Sequence, residues 1–157
     1  MTRRKPRYLP LGSISTGTLR NEDIIPELLD LGNEVRMNSA DRREWRYLES
    51  EYKNEPALLD LEGGSIASEY IERLYDLLQA YAPPFCYVGS HPGDGADIGV
   101  WVSEDILQGN PHDDNDGVER SSESGKPSKG YEFRLWISDH GNATLYDHNG
   151  REVWGVV

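Results

Sequence analysis

PFCYVGSHPGDGADIGVWVS, residues 84–103, is where the chain changes its period. Before Pro84 the apolar residues recur every three or four positions. From Phe85 onward they alternate, so FCYVG and IGVWVS read as two strands. SHPGDGAD, residues 90–97, then reads as the loop between them: Pro92, Gly93 and Gly95 bend the chain, and Asp94 and Asp97 cap loop amides. Further on, YEFRLWIS, ATLY and REVWGVV read as three more strands, joined by DHGN and HNGR. Asn149-Gly150 is a two-residue hairpin signal, because both turn positions need positive φ.

Upstream the helical period holds in three places. A helix is expected from Asn21, an N-cap residue followed by Glu22 and Asp23, with Ile24, Ile25, Leu28, Leu29 and Leu31 on one face and Gly32 as its stop. Pro26 costs its first turn a hydrogen bond. A second is expected from about Asp41 to Lys53, capped by Ser39, burying Trp45, Leu48 and Tyr52, and closed by Pro56. A third runs from the cap Ser65 through Ile66, Tyr70, Ile71, Leu74, Leu77, Leu78 and Tyr81 to Pro83 and Pro84. Helices first and strands afterwards imply an α+β domain, with about three N-terminal helices packed on one face of a C-terminal antiparallel sheet of about five strands. Residues 1–17 read as an extended basic lead-in, and 18–157 as a single domain. Residues 108–130, polar and rich in Gly, Ser and Pro, read as a mobile loop within it.

At 157 residues the chain is long enough for one compact core. The net charge is −12, and four cations (Arg3, Arg4, Lys5 and Arg7) fall in the first seven residues, so the rest carries −16. Such a body repels nucleic acid and anionic membrane, so direct binding to either is not expected. No apolar run approaches the roughly 18 residues that span a bilayer, and no apolar region follows the basic start as a signal peptide would require. Cys86 is the only cysteine, which excludes an internal disulfide and a cysteine-based zinc site. In PFCYV it reads as a buried strand thiol. The Asn142-Ala143-Thr144 sequon matters only in a secreted chain. The expected address is the cytoplasm, and no cofactor is implied.

Four places are candidates for function. His91, Asp94 and Asp97 supply imidazole and carboxylates, the ligands and acid–base groups of a small metal-assisted hydrolase or ligand-binding protein. No nucleophile or second carboxylate cluster accompanies them, and a plain turn accounts for the same residues. HDDNDGVERSSE, residues 112–123, places Asp114, Asp116, Gly117 and Glu123 at calcium-loop positions, but starts with His112 and lacks flanking helices; a solvated loop is the expectation. The acidity allows a mimic of nucleic acid that inhibits a DNA-binding enzyme. Its carboxylates are dispersed, however, with twelve acids against six bases over residues 20–62.

The final meander is the fourth. A turn at Asn149-Gly150 sets Tyr146 opposite Val153 and Leu145 opposite Trp154. A turn centred on His140-Gly141 sets Leu135 opposite Tyr146, Trp136 opposite Leu145, and Arg134 opposite Asp147. One face then holds Phe133, Leu135, Ile137, Tyr146, Val153 and Val157 under the helices. The other carries a row of Trp136, Leu145 and Trp154, rimmed by Arg134 and other charges, as at the centre of a binding patch. The alternative is that the lead-in or residues 108–130 cover this row. The reading is a non-enzymatic intracellular protein-interaction module whose partner is a protein or a second copy in a homodimer, with Trp136, Leu145, Trp154 and Arg134 as its contact residues.

Overall fold

The computed structural model describes residues 4–60, 64–109 and 116–157. In chain order the elements are β1 (Gly12–Ser15), α1 (Asn21–Glu34), α2 (Ser39–Asn54), α3 (Pro56–Leu59), α4 (Ser65–Gln79), β2 (Cys86–His91), β3 (Asp94–Val102), α5 (Glu104–Gln108), β4 (Val118–Ser121), β5 (Phe133–Ile137), β6 (Ala143–Tyr146) and β7 (Glu152–Val156). The class is α+β, with the long helices N-terminal and most strands C-terminal. The strands form two sheets where one was expected: a three-stranded sheet β1-β3-β2 and a four-stranded sheet β4-β5-β6-β7. The chain clusters into two compact units, Met1–Ala82 with Cys86–Trp101, and Pro83–Phe85 with Val102–Val157.

In the first unit the helices pack on the three-stranded sheet, α1 against β1 and α4 against β2. Its core is Ile25, Leu28, Val35, Trp45, Leu48, Leu74, Leu78 and Val100, all fully buried. The strand β1 lies inside residues 1–17, expected to be an extended lead-in without regular structure. GSIS is too short and polar to show a period, and what makes it a strand is its partner: Gly12 and Ser13 pair with Val100 and Gly99 of β3. The two backbones come so close that a Cβ on Gly99 would stand 2.2 Å from the Gly12 carbonyl oxygen.

Helix α1 does not stop at Gly32 but runs to Glu34. Its last carbonyls need no left-handed glycine, because Arg42 of α2 reaches back and donates to Gly32 O (3.1 Å), Val35 O (2.7 Å) and Asn33 Oδ1 (3.0 Å). Gly32 serves a different purpose, leaving room for the buried Trp45 ring. The caps of α1, α2 and α4 each sit one residue before the expected position, at Arg20, Asn38 and Gly64. At α2 it is Asn38 that accepts from Asp41 N, at 2.8 Å. Pro56 closes α2 and also begins α3, where its missing N–H is no loss.

In the second unit the meander forms with all three of its expected strands, but in a different register. Neither connection is a two-residue turn. At each, only the glycine has positive φ, Gly141 at 82° and Gly150 at 78°, whereas a two-residue type I′ turn needs two such residues. The β5–β6 loop is accordingly one residue longer, closed by Ser138 N to Asn142 O (2.8 Å). That slip places Leu135 opposite Leu145, Trp136 opposite Thr144, and Arg134 opposite Tyr146. At the second loop, Asp147 accepts from Asn149 N and Arg151 N. A bulge between Leu145 and Tyr146 then restores the expected Leu145–Trp154 pair while setting Tyr146 opposite Glu152. A one-residue slip exchanges the faces of a strand, so Leu135, Leu145 and Trp154 share one buried row and Trp136 faces the other way.

Strand β4 runs parallel to β5, Glu119 beside Arg134 and Ser121 beside Trp136. It lies within residues 108–130, expected to be a mobile loop. VERS has a single apolar residue, and its hydrogen-bonding side chains do the holding. Glu119 accepts from Ser128 Oγ (2.6 Å), Ser128 N (2.9 Å) and Arg134 Nε (2.9 Å). The hydroxyl and amide of Ser128, and then the Arg134 guanidinium, hold the Glu119 carboxyl down at about 2. Arg134 is thus committed to Glu119 and not to Asp147. Because the folded value lies below the ordinary 4.5, the Glu119 contribution is complete above about pH 5 and is lost as the pH falls toward 2. Replacing Glu119 by Gln is expected to lower stability by about 1–2 kcal/mol at pH 7. In urea melts the gap to wild type should close between pH 5 and pH 2; a gap independent of pH would show that the charge is not the source.

Candidate functional site

The expected tryptophan row is broken at one member: Leu145 and Trp154 pair as expected, whereas Trp136 stands opposite Thr144 and faces the other way. Trp154 is 4% exposed, its indole N–H donating to Pro84 O at 2.8 Å, and Leu145 is fully buried. Trp136 and Arg134 lie on the opposite face, where the segment after β4 holds them: Trp136 Nε1 donates to Ser122 O (3.0 Å), and Arg134 Nη1 to Ser124 O (3.4 Å). Trp136 is half-buried, and the crossover between β4 and β5 supplies the acceptor for its indole.

SHPGDGAD closes a tighter hairpin than expected, since only Pro92 and Gly93 lie outside the strands. Its polar groups serve that hairpin separately. His91 Nδ1 accepts from Gly93 N (3.0 Å), and the ring stands edge-on to Trp101 at 4.7 Å. Asp94 accepts from Ala96 N (3.0 Å), and Asp97 accepts from the Ser13 hydroxyl on β1. Among the described residues no three His, Cys, Asp or Glu side chains are grouped to hold a metal ion. Of the calcium-loop pattern, His112 and Asp114 lie outside the described residues, while Asp116 accepts from Val118 N (2.9 Å) and pairs with Arg120 (2.8 Å). Cys86 is buried, and burial pushes its thiol up to about 12, far from nucleophilic.

The helices α2, α3 and α4 build a site that the sequence did not reveal. They enclose a groove of about 460 Å³, lined on α2 by Tyr47, Ser50, Glu51 and Asn54, by Glu55, Leu58 and Leu59 at α3, and on α4 by Ile66, Glu69, Tyr70 and Arg73. On each long helix these residues recur at three- and four-residue steps, one stripe beside the buried one. Tyr70 forms the floor: it is 4% exposed, its hydroxyl donates to Leu48 O, and burial, then the charges of Glu51 and Glu49, raise its pKa. Tyr47, Leu58 and Ile66 are 56%, 45% and 58% exposed. They are three of the seven exposed large apolar side chains among the described residues, and all three line this groove.

The chain matches no family model, no curated protein and no solved structure. The site is therefore read from its own chemistry. Among the described residues Arg73 is the one cation lining it, lying 3.5 Å from Glu51 and 3.6 Å from Glu44, with its guanidinium 6.0 Å over the Tyr47 ring. Among the described lining residues no hydrogen-bonded nucleophile–base pair is present. The groove presents apolar surface rimmed by charge.

The signal for this groove was present in α4. Its buried residues are Ala67, Tyr70, Leu74 and Leu78, a regular helical stripe that leaves Ile66 one position off. Counting Ile66 as core hid the exposed face.

Proposed function

We propose that this chain works by protein contact, through the groove between α2, α3 and α4. The supporting observation is the convergence of Tyr47, Leu58 and Ile66, exposed, on one concavity. Scattered apolar side chains need no explanation on a protein surface, whereas clustered ones rimmed by charge mark interaction sites. An acidic chain with a single, buried cysteine suits a reducing cytoplasm. No described helix is long and apolar enough to cross a membrane.

A photoreactive amino acid at Ile66, with a control at Glu72 on another face of α4, tests the reading in cells. A discrete protein adduct is expected from position 66 and not from 72, identifiable by mass spectrometry as a partner or a second copy. Adducts equal at both positions, or absent at 66, would remove the groove as a contact site.

A further inference from the structure

We infer that the occupant of this groove is a basic amphipathic helix. The inference rests on the groove being a contact site and specifies what it takes. Its walls are helices, and no strand edge is available among its lining residues to pair with an extended peptide. Affinity must then come from side-chain anchors on an apolar face, the mode by which a helix fills a groove between helices. Tyr47, Leu58 and Ile66 supply the complementary apolar surface, one aromatic ring and two aliphatic side chains.

The charges choose the sign. Arg73 is divided between Glu44 and Glu51. Glu55 and Glu69, both exposed on the rim, have no ion pair among the described residues. An incoming acidic or neutral helix meets two uncompensated carboxylates, while Lys or Arg flanking an apolar stripe neutralises them. Such rim pairs contribute modestly to affinity but strongly to encounter rate and discrimination.

The experiment uses two synthetic helices of about five turns, identical on the apolar face and flanked by either Lys/Arg or Glu, titrated by fluorescence anisotropy into the full chain. The basic helix is expected to bind about tenfold more tightly than the acidic one, with the preference fading near 1 M salt, where the screening length is about 3 Å. The double variant Glu55→Lys/Glu69→Lys should abolish or invert the preference. Glu123→Lys/Glu132→Lys, which changes net charge equally in the other unit, should leave it intact. Leu58→Ser/Ile66→Ser, checked for folding by its melt, should lose both helices. Equal binding of the two helices to wild type, or equal effects of the two charge reversals, would overturn the inference. A groove-specific cross-link combined with either of those results would keep the contact site and discard the basic helix. Absence of the cross-link would discard the site itself.

Discussion

Trp154→Ala is expected to destabilise the four-stranded sheet by about 3–5 kcal/mol, the usual cost of truncating a buried tryptophan. The side chain is 4% exposed and sits in the row with Leu135 and Leu145, both fully buried. Its indole N–H satisfies the Pro84 carbonyl. The Pro83–Phe85 segment is further held by the Phe85 ring edge-on to Phe133 (5.5 Å) and by Ser103 N donating to Phe85 O (2.8 Å). Removing the indole therefore opens a cavity and also removes its hydrogen bond to the Pro84 carbonyl. Phe85 is itself at positive φ, 63°, a conformation that persists only where surrounding contacts enforce it. Chemical denaturation followed by near-ultraviolet circular dichroism reads the effect. A variant that melts like wild type but loses association would return Trp154 to the role of a contact residue.

Gly32→Ala is the second large effect, and its sign opposes helix propensity. Alanine in a helix interior gains about 1 kcal/mol over glycine. Here the added Cβ would lie 2.1 Å from Trp45 Cζ2 and 2.2 Å from Cε2, and neither party can withdraw. The ring is fully buried, and the helix backbone is pinned by Arg42 at Gly32 O. A net loss of about 3 kcal/mol is expected, the upper part of the usual range for an overpacked core. A thermal melt decides it: an alanine variant as stable as wild type would mean that α1 and α2 do not approach as closely as Gly32 and Trp45 indicate.

Trp154 and Gly32 mark the boundary between what local sequence dictates and what tertiary contact decides. Long periodic segments were legible. Five strands and three helices lie where alternation or helical spacing places them, because burial of one face imposes that period. The turns were not. His140-Gly141 and Asn149-Gly150 look like two-residue turns by composition, and only the backbone shows that one residue of each pair takes positive φ. The resulting slip moved Trp136 away from Leu145 and dissolved the row on which the contact surface had been placed. Strands β1 and β4 escaped for another reason. Their stability comes from Gly99 and from the Glu119–Ser128–Arg134 cluster, and partners distant in sequence leave no local period. Gly32 is ambiguous in the same way, since a helix stop and a site of close approach call for the same residue.

The pairing of β1 with β3 has a kinetic consequence. Ser13 and Asp97, hydrogen-bonded across these strands, are 84 residues apart, whereas β5, β6 and β7 pair with immediate neighbours in the chain. Closing a long loop costs entropy before any contact repays it, so local hairpins form early and distant pairings late. During synthesis, residues 12–15 leave the ribosome long before β3 exists to receive them. Until Gly99 emerges this short strand has no template, and it docks only once the β2–β3 hairpin has formed. The N-terminal strand of the chain is then among the last to find its place.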